Sequence, residues 1–317
     1  MFFQFHSNNQ ITLALIAENF IISTVKNRLK PLQPLKKLKF KIQRFLANLS
    51  KAKFFAMKTS TEILSPKPKL RILFSEKCQG EQFIKRGFQL IHHHVDFQAI
   101  SPEKIKDYDL VIPLNMDDLR LLQSTPELTK NNLIPIPSFE STVICDDKFL
   151  FNQTLKEKGF SDYLPKTGEN LSYPFLVKKK VSEAGWGCHF VYNSEQKEKY
   201  MDLIESEDYF CQEIIKGKNE FDSHILFKNH QILASITIKN AFEKDSYLKG
   251  RDKFIYTKIV DSPYLNIFSD ILDAIGFEGL CCFNYKENNG KPSIFEINPR
   301  FDGSLSRYFF TFLRSLN

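Results

Sequence analysis

The sequence is poor in cysteine, glycine and proline, and it has no long apolar run. Six cysteines occur among 317 residues, with no CxxC pair and with Cys281 next to Cys282, which excludes the common zinc patterns and a disulfide framework. Glycine and proline, 12 and 14 residues, are too few for a disordered or collagen-like chain. The longest apolar stretch, residues 11–25, contains Glu18 and Asn19 and is too short to span a bilayer. No basic segment precedes an apolar core at the start, so we expect no secretory signal and a cytoplasmic location.

Basic residues are scarce outside the N-terminal region. Residues 1–69 hold 13 of the 44 Lys/Arg and two of the 37 acids, a local charge of +11. Residues 70–317 therefore carry 31 Lys/Arg against 35 acids, and this mildly acidic body argues against a nucleic-acid partner. The segment 35–55 mixes Lys/Arg with Leu, Ile and Phe at helical spacing. We interpret it as a basic helix that is solvated, packs on a partner protein or touches the anionic inner face of a membrane.

A short linker separates this extension from a small α/β unit. The linker is SPKPK, residues 65–69, which contains two prolines and no apolar residue. Apolar runs typical of buried strands follow at 70–76 and 108–114. A third run, 132–138, contains prolines that confine it to a sheet edge or a loop. We therefore predict an α/β domain over residues 70–142.

The remaining residues, 143–317, are predicted to form a second α/β domain. A helix capped by Asp146 or Asp147 and ended by Gly159 opens it, and a later helix starts at Ser262–Pro263. The predicted strands are 173–179, 189–193 and 209–215, followed by hairpins 221–239 and 281–298 and a closing helix over 307–317.

The last hairpin carries side chains suited to a hard metal ion. Glu296 and Asn298 lie two apart in one strand and so share a face, and Asn284 lies in the partner strand. Their carboxylate and amide oxygens are ligands that Mg²⁺ accepts, and Arg300 is close enough in sequence to reach a phosphate at the same place. Surface strands alternate polar residues too, so this pattern is weak evidence when taken alone.

Two further segments are consistent with a nucleotide site. Lys178 ends an apolar strand and precedes a loop with Gly185 and Gly187, which lets backbone N–H groups approach phosphate oxygens, although a plain turn has the same composition. Downstream, Glu213 ends a buried strand and Glu220 follows seven residues later. A strand end offers backbone groups to adenine, and a carboxylate offers acceptors to ribose hydroxyls.

The order and spacing of these motifs resemble the ATP-grasp superfamily over residues 143–304. The resemblance is closest to the carbamoyl-phosphate-synthase-like branch, through the segment IFEINPRFDGSL at 294–305. It implies two α/β lobes, about 143–208 and 209–317, that clamp ATP and are preceded by a small α/β domain. It also implies a role for eleven residues in one site. These are Lys148 and Lys178 on the ATP phosphates, Gly185 and Gly187 in a lid, Glu213 and the backbone of Ile215 on adenine, Glu220 on ribose, Asn284, Glu296 and Asn298 on Mg²⁺ or Mn²⁺ with Glu296 bridging two ions, and Arg300, with Lys178, in catalysis.

One position departs from the family pattern. Many members have a carboxylate twelve residues before the metal-binding glutamate, and Asn284 stands there in this sequence. The synthase branch has glutamine, so an amide is compatible with the site, but it lowers the negative charge that faces Mg²⁺.

The resemblance implies an ATP-dependent ligase that activates a small-molecule carboxylate as an acyl phosphate and joins it to an amine or a thiol. Two alternatives stay open. One is a phosphotransferase with the same fold, and the other is a degenerate nucleotide-binding scaffold tethered by the basic residues 1–69. The resemblance says nothing about the identity of the substrates.

Overall fold

The computed structural model of the protein describes residues 33–64, 69–76, 93–183, 185–313 and 316. Most of the predicted linker and the first 32 residues therefore lie outside the described part of the chain. Two compact units, Met1–Leu46 and Ala47–Asn317, are distinguished by their internal contacts. The domain boundaries expected from the sequence stay predictions.

One long helix, Gln33–Leu64, contains the basic segment for which the sequence predicts a helix. Its part within the second unit is anchored by side chains: Phe55 stacks on Tyr308 with ring centroids 5.6 Å apart, and Lys51 Nζ donates to Thr257 Oγ1 at 2.6 Å. Within the described residues, no helix combines the length and the hydropathy needed to cross a membrane.

The first sheet is parallel and three-stranded, in the order β2–β1–β3. The strands are β1 Arg71–Phe74, β2 His94–Phe97 and β3 Leu110–Ile112, and short helices follow at Pro102–Ile105, Met116–Gln123 and Pro126–Thr129. The central strand forms because Ile72 and Phe74 are fully buried. The sequence did not indicate β2, and the run at 132–138 forms no strand. Its prolines cannot donate to a ladder, and the Asn132 side chain instead accepts from Val111 N at 2.7 Å.

The second sheet is antiparallel and small, in the order β5–β4–β6. The strands are β4 Phe175–Lys179, β5 Cys188–Val191 and β6 Tyr209–Glu213, and the helices around them are Phe139–Asp146, Lys148–Glu157, Ser194–Lys199 and Met201–Ile204. The predicted helix after Asp147 is confirmed: the Asp147 carboxylate accepts from the backbone N–H of Phe149 and Leu150 at 2.8 and 2.9 Å. Gly159, at φ +88°, follows its end.

The third sheet is antiparallel and five-stranded, in the order β11–β10–β7–β8–β9. The strands are β7 Asn219–Lys228, β8 Gln231–Ala241, β9 Tyr256–Val260, β10 Gly279–Asn288 and β11 Lys291–Asn298, and the helices are Leu265–Ala274 and Phe310–Leu313. Both predicted hairpins are present, and the first turns at Asn229 and His230 with φ of 51° and 61°. The helix predicted from Ser262 begins at Leu265 instead. Ser262 Oγ accepts from Tyr264 N at 3.3 Å, which places a turn before the helix.

Candidate functional site

A cavity of about 830 Å³ opens between the second and third sheets. Ten of the eleven residues that the sequence indicated line it, namely Lys148, Lys178, Gly185, Glu213, Ile215, Glu220, Asn284, Glu296, Asn298 and Arg300. The structure thus brings together residues that are more than 150 positions apart in sequence. Gly187 is not among the residues that line it, and the roles of all eleven stay predictions.

Two buried lysines line the part of this cavity nearest the second sheet. Lys148, the first residue of its helix, donates to Ser182 O at 2.6 Å and lies 3.4 Å from Glu296 Oε2. Lys178 lies in β4 and donates to Gln212 Oε1 at 3.0 Å. Burial lowers the pKa of Lys178, because the loss of hydration of the ammonium group outweighs the attraction of the Glu296 carboxylate. An anionic ligand would restore the stabilisation that this ammonium lacks.

The hairpin of β10 and β11 places oxygen donors across from these lysines. Asn284 and Glu296 are paired in register, and Asn298 Nδ2 donates to Asn284 Oδ1 at 2.8 Å. Burial raises the pKa of Glu296, but Lys148 and Lys178 lower it more, so the net shift is downward and the carboxylate is ionised. One carboxylate and two amides form a donor set that fits Mg²⁺.

Arg300 provides a third cation at the end of the hairpin. Its side chain is 9% exposed, and its guanidinium pairs with Glu183 of the loop after β4. Nη1 donates to Phe301 O at 3.4 Å, whereas Nε is buried without a hydrogen-bond partner. Because a buried donor without a partner is costly, this atom fits a site that is completed by an anion.

Two loops meet over the cavity. Gly185, at φ +70°, lies so close to the loop at 246–254 that a Cβ there would be 2.8 Å from Lys249 O. Arg251 of that loop stacks on Trp186, with its guanidinium carbon 5.5 Å from the ring centroid. Gly187, at φ +69°, has another reason to be glycine, since its Cβ would lie 2.7 Å from Lys179 Cβ.

The residues indicated for adenine and ribose lie at the end of β6 and the start of β7. Glu213 Oε1 accepts from Lys166 N at 2.7 Å, so this carboxylate is already engaged by the chain. Ile215 O accepts from Lys286 Nζ at 2.9 Å, and burial lowers the pKa of Lys286 to about 8. Glu220 is 6% exposed, and burial raises its pKa to about 7.

Two charged residues at this site, Asp222 and Lys249, are not indicated by the sequence. Asp222 is fully buried in β7, pairs in register with Asn284 and accepts from its Nδ2 at 2.7 Å. Lys249 forms an ion pair with Asp222 and lies 3.7 Å from Glu220 Oε1. Asp222 lies among other polar residues, Glu220, Ser223 and His224, so its position in the sequence does not set it apart, and nothing local in sequence distinguishes Lys249.

In the described part of the chain, His224, Cys282 and Asp302 form a group whose possible metal-ligating atoms lie within 4.8 Å of one another. Ser304 already links two of them: its Oγ donates to Asp302 Oδ1 at 2.6 Å and lies 2.9 Å from His224 Nε2. Burial raises the pKa of the Cys282 thiol well above its usual value, so the thiol stays protonated. We therefore assign this group a structural role.

Comparisons with known proteins agree with this arrangement. The ATP-grasp domain family matches residues 145–304, just over half of the chain. The structure is similar to D-alanine–D-alanine ligase from Bacillus anthracis (TM-score 0.52, 14% identity, 78% of this chain and 97% of that chain). It is also similar to phosphoribosylamine–glycine ligase from Thermotoga maritima (0.58, 13%, 78% and 75%) and to L-amino acid ligase from Bacillus licheniformis (0.53, 14%, 77% and 70%).

No curated protein sequence matches the chain. At these identities the structural similarities establish the fold alone, and they confirm the α/β ATP-grasp fold expected from the sequence. The family match covers the whole set of cavity residues from Lys148 to Arg300. The chain therefore belongs to the ATP-grasp family.

Proposed function

We propose that the protein is an ATP- and Mg²⁺-dependent ligase, which activates a carboxylate as an acyl phosphate and joins it to an amine or a thiol with release of ADP and phosphate. The observation that carries this proposal is the unpartnered, buried Arg300 Nε in a cavity that Lys148 and Lys178 also line. Three cationic side chains converge there on a carboxylate and two amides, as the transfer of a phosphoryl group requires.

ATP would lie along the cavity between the two sheets. Leu176 and Ile214 line it with apolar surface suited to adenine, near the strand end at Glu213. Glu220 would accept from the ribose hydroxyls once ionised. Lys148 and Lys178 would contact the phosphates, whose charge replaces the hydration that both ammonium groups lose.

Asn284, Glu296 and Asn298 would hold Mg²⁺ or Mn²⁺, which when bound neutralises charge on phosphate oxygens. Arg300 would hold oxygens of the transferring phosphoryl group through Nε. The Glu183–Arg300 ion pair connects the loop over the cavity to this guanidinium, so a ligand that binds Arg300 would also act on the loop.

The chemistry needs no covalent enzyme intermediate. A carboxylate oxygen of the substrate attacks the γ-phosphorus of ATP, and the bond to the ADP oxygen breaks. The amine then attacks the acyl carbon, phosphate leaves with the bonding electron pair, and the nitrogen loses a proton. The loops that contain Gly185 and Lys249 would exclude water from the acyl phosphate. Cys188 lines the cavity, but burial raises the pKa of its thiol, which makes it a poor nucleophile.

The basic helix supports a proposal on location. Residues 33–64 carry eight Lys/Arg and one acid, a charge that suits the anionic inner face of a membrane for a cytoplasmic enzyme. Co-sedimentation of the full chain with phosphatidylserine vesicles at low salt tests it. Equal recovery with neutral and anionic vesicles contradicts it.

The ligase proposal is tested by trapping with hydroxylamine. The protein, Mg-ATP and a panel of amino acids and other small carboxylates should give equal amounts of ADP and hydroxamate for the correct substrate. Glu296→Gln should lower both by at least roughly 100-fold, because it removes the only carboxylate of the donor set. Glu157→Gln is the matched control, since Glu157 is exposed and outside the cavity lining.

Two results would redirect the proposal. A stable phosphorylated acceptor in place of a hydroxamate selects the phosphotransferase. Nucleotide binding without ADP formation for any carboxylate contradicts the ligase and leaves a nucleotide-binding scaffold.

A further inference from the structure

A buried carboxylate stands directly opposite the amide of the metal-binding hairpin. Asp222 in β7 is paired in register with Asn284 in β10, and its side chain is fully buried. Asn284 Nδ2 donates to its Oδ1 at 2.7 Å, and Asn240 Nδ2 donates to its Oδ2 at 2.8 Å. Both oxygens of this carboxylate are thus engaged by neighbouring amides.

The charge of Asp222 is balanced by Lys249. The Lys249 ammonium forms an ion pair with Asp222 Oδ1, and its Nζ lies 3.7 Å from Glu220 Oε1. Burial alone would lower the pKa of Lys249, but Asp222 and Glu220 raise it more, so the group stays charged. Lys249 is therefore a fixed cation that lines the cavity beside Asn284.

The remaining donors have too little charge for two metal ions. Asn284, Glu296 and Asn298 contain a single carboxylate, and Asn284 must keep its Nδ2 toward Asp222. A second divalent ion would need another free carboxylate, because amide oxygens alone do not neutralise it. Asp222 is paired in register with Asn284 on the partner strand, and the Lys249 ammonium already forms an ion pair with it.

We propose that Lys249 takes the place of a second metal ion, so that the site binds one divalent cation together with the nucleotide. This inference rests on the proposed function and departs from the two ions that the family resemblance implies. Lys249 belongs to the loop whose backbone faces Gly185, so the position of this loop determines whether the cation is in place.

The test is a count of metal ions. Mn²⁺ is titrated into the full-length protein with the β,γ-imido analogue of ATP, free Mn²⁺ is measured by electron paramagnetic resonance, and bound nucleotide is measured by calorimetry. The wild-type protein should bind one Mn²⁺ per bound nucleotide. Lys249→Met should raise the ratio toward two, because it removes the ammonium from Asp222 Oδ1 and leaves the carboxylate with only its two neutral amide partners.

A triple variant provides a second test of the number of bound Mn²⁺ ions. Asp222→Asn with Asn284→Asp moves the carboxylate across one register pair at nearly constant volume, and Lys249→Met removes the ammonium. We expect two Mn²⁺ per nucleotide for this variant, with near-UV circular dichroism to establish its folding.

The outcomes separate this inference from the proposed function. Two Mn²⁺ per nucleotide in the wild-type protein overturn the inference and leave the ligase intact. One Mn²⁺ in folded variants without Lys249 also overturns it. A folded wild-type protein that binds no nucleotide overturns the proposed function, and the inference with it. If a variant does not fold, the wild-type ratio still decides.

Discussion

The two sheets that face the cavity differ in how firmly they are packed. The five-stranded sheet has a hydrophobic core on each side, one of which includes Phe283 stacked on Phe268 with ring centroids 4.3 Å apart. Among the described residues, the core of the small antiparallel sheet β5–β4–β6 contains four buried side chains, Phe175, Val177, Val191 and Cys211. Few buried apolar contacts indicate a lower free energy of local opening.

The candidate site residues are divided between the firmly packed sheet and the less firmly packed one. Asn284 and Glu296, which we propose as metal donors, lie in paired strands of the well-packed sheet, where strand register fixes their spacing. Lys178, which we propose contacts the ATP phosphates, lies in the small sheet, and Gly185 lies in the loop that follows its strand. In the proposed function, the firmly packed sheet would hold the metal ion, and the small sheet with its loop would open to admit a nucleotide and then cover its phosphates.

Removing one phenylalanine from the core of each sheet should give the largest effect and tests the difference in packing between the two sheets. Phe283→Ala should lower the free energy of unfolding by about 3–5 kcal/mol, because Phe283 is fully buried in the large sheet. Phe175→Ala should lower the free energy of unfolding less. If the small sheet opens as a separate unit, this variant should also show faster amide exchange over 175–213 and about tenfold weaker nucleotide affinity. Urea unfolding and hydrogen-exchange mass spectrometry measure the two responses.

Phe139→Ala is the control for both variants, since Phe139 is 60% exposed and its removal leaves no cavity. Equal losses of global stability for Phe283→Ala and Phe175→Ala, with unchanged exchange at 175–213, would show that the two sheets unfold as one.

The free energy of unfolding should depend on pH through Glu220, which lies at the junction of the two sheets. Its folded-state pKa of about 7 exceeds the ordinary value of 4.5, so the folded protein binds more protons than the unfolded chain between these pH values. The free energy of unfolding should therefore fall by roughly 2–3 kcal/mol as the pH rises from 4.5 to 7, relative to Glu220→Gln, and stay level above pH 8. Urea titrations of both proteins across this range check the slope.

Glu157→Gln serves as the comparison here too, because Glu157 is exposed and should follow the wild-type curve. The proposed ribose contact adds a second expectation: nucleotide affinity should rise through pH 7 as Glu220 ionises. A Glu220→Gln protein with the wild-type stability slope would contradict the assigned burial.

The sequence predicted how the candidate residues of the last hairpin are placed relative to one another, because period-two alternation identifies neighbours within a strand. It placed Glu296 and Asn298 on one face, and the turn at Asn289–Gly290 brought Asn284 opposite Glu296. The hairpins of the five-stranded sheet could also be predicted from the sequence, since both have recognisable turns.

Contacts made through loops were not predictable in this way. Lys249 lies in an irregular loop, and its pairing with Asp222 depends on how β8 and β9 are connected rather than on spacing. β2 was missed because its residues, HVDF, include two polar side chains at a half-exposed sheet edge. Pairing with β1, which is set by tertiary structure, makes this segment a strand.

The smallest expected effect concerns the loop cover. Gly185→Ala should weaken nucleotide binding about fivefold, because the new Cβ would lie 2.8 Å from Lys249 O and because φ of +70° costs an L-residue about 1 kcal/mol. Calorimetric titration with the β,γ-imido analogue of ATP measures the change. Gly276→Ala separates the two causes: φ there is +62°, and no atom lies within 4 Å of its Cβ. If Gly185→Ala binds the ATP analogue as tightly as Gly276→Ala does, the loops that contain Gly185 and Lys249 do not close on each other when nucleotide is bound. Any closure over the phosphates would then have to act through Glu183 and Arg300.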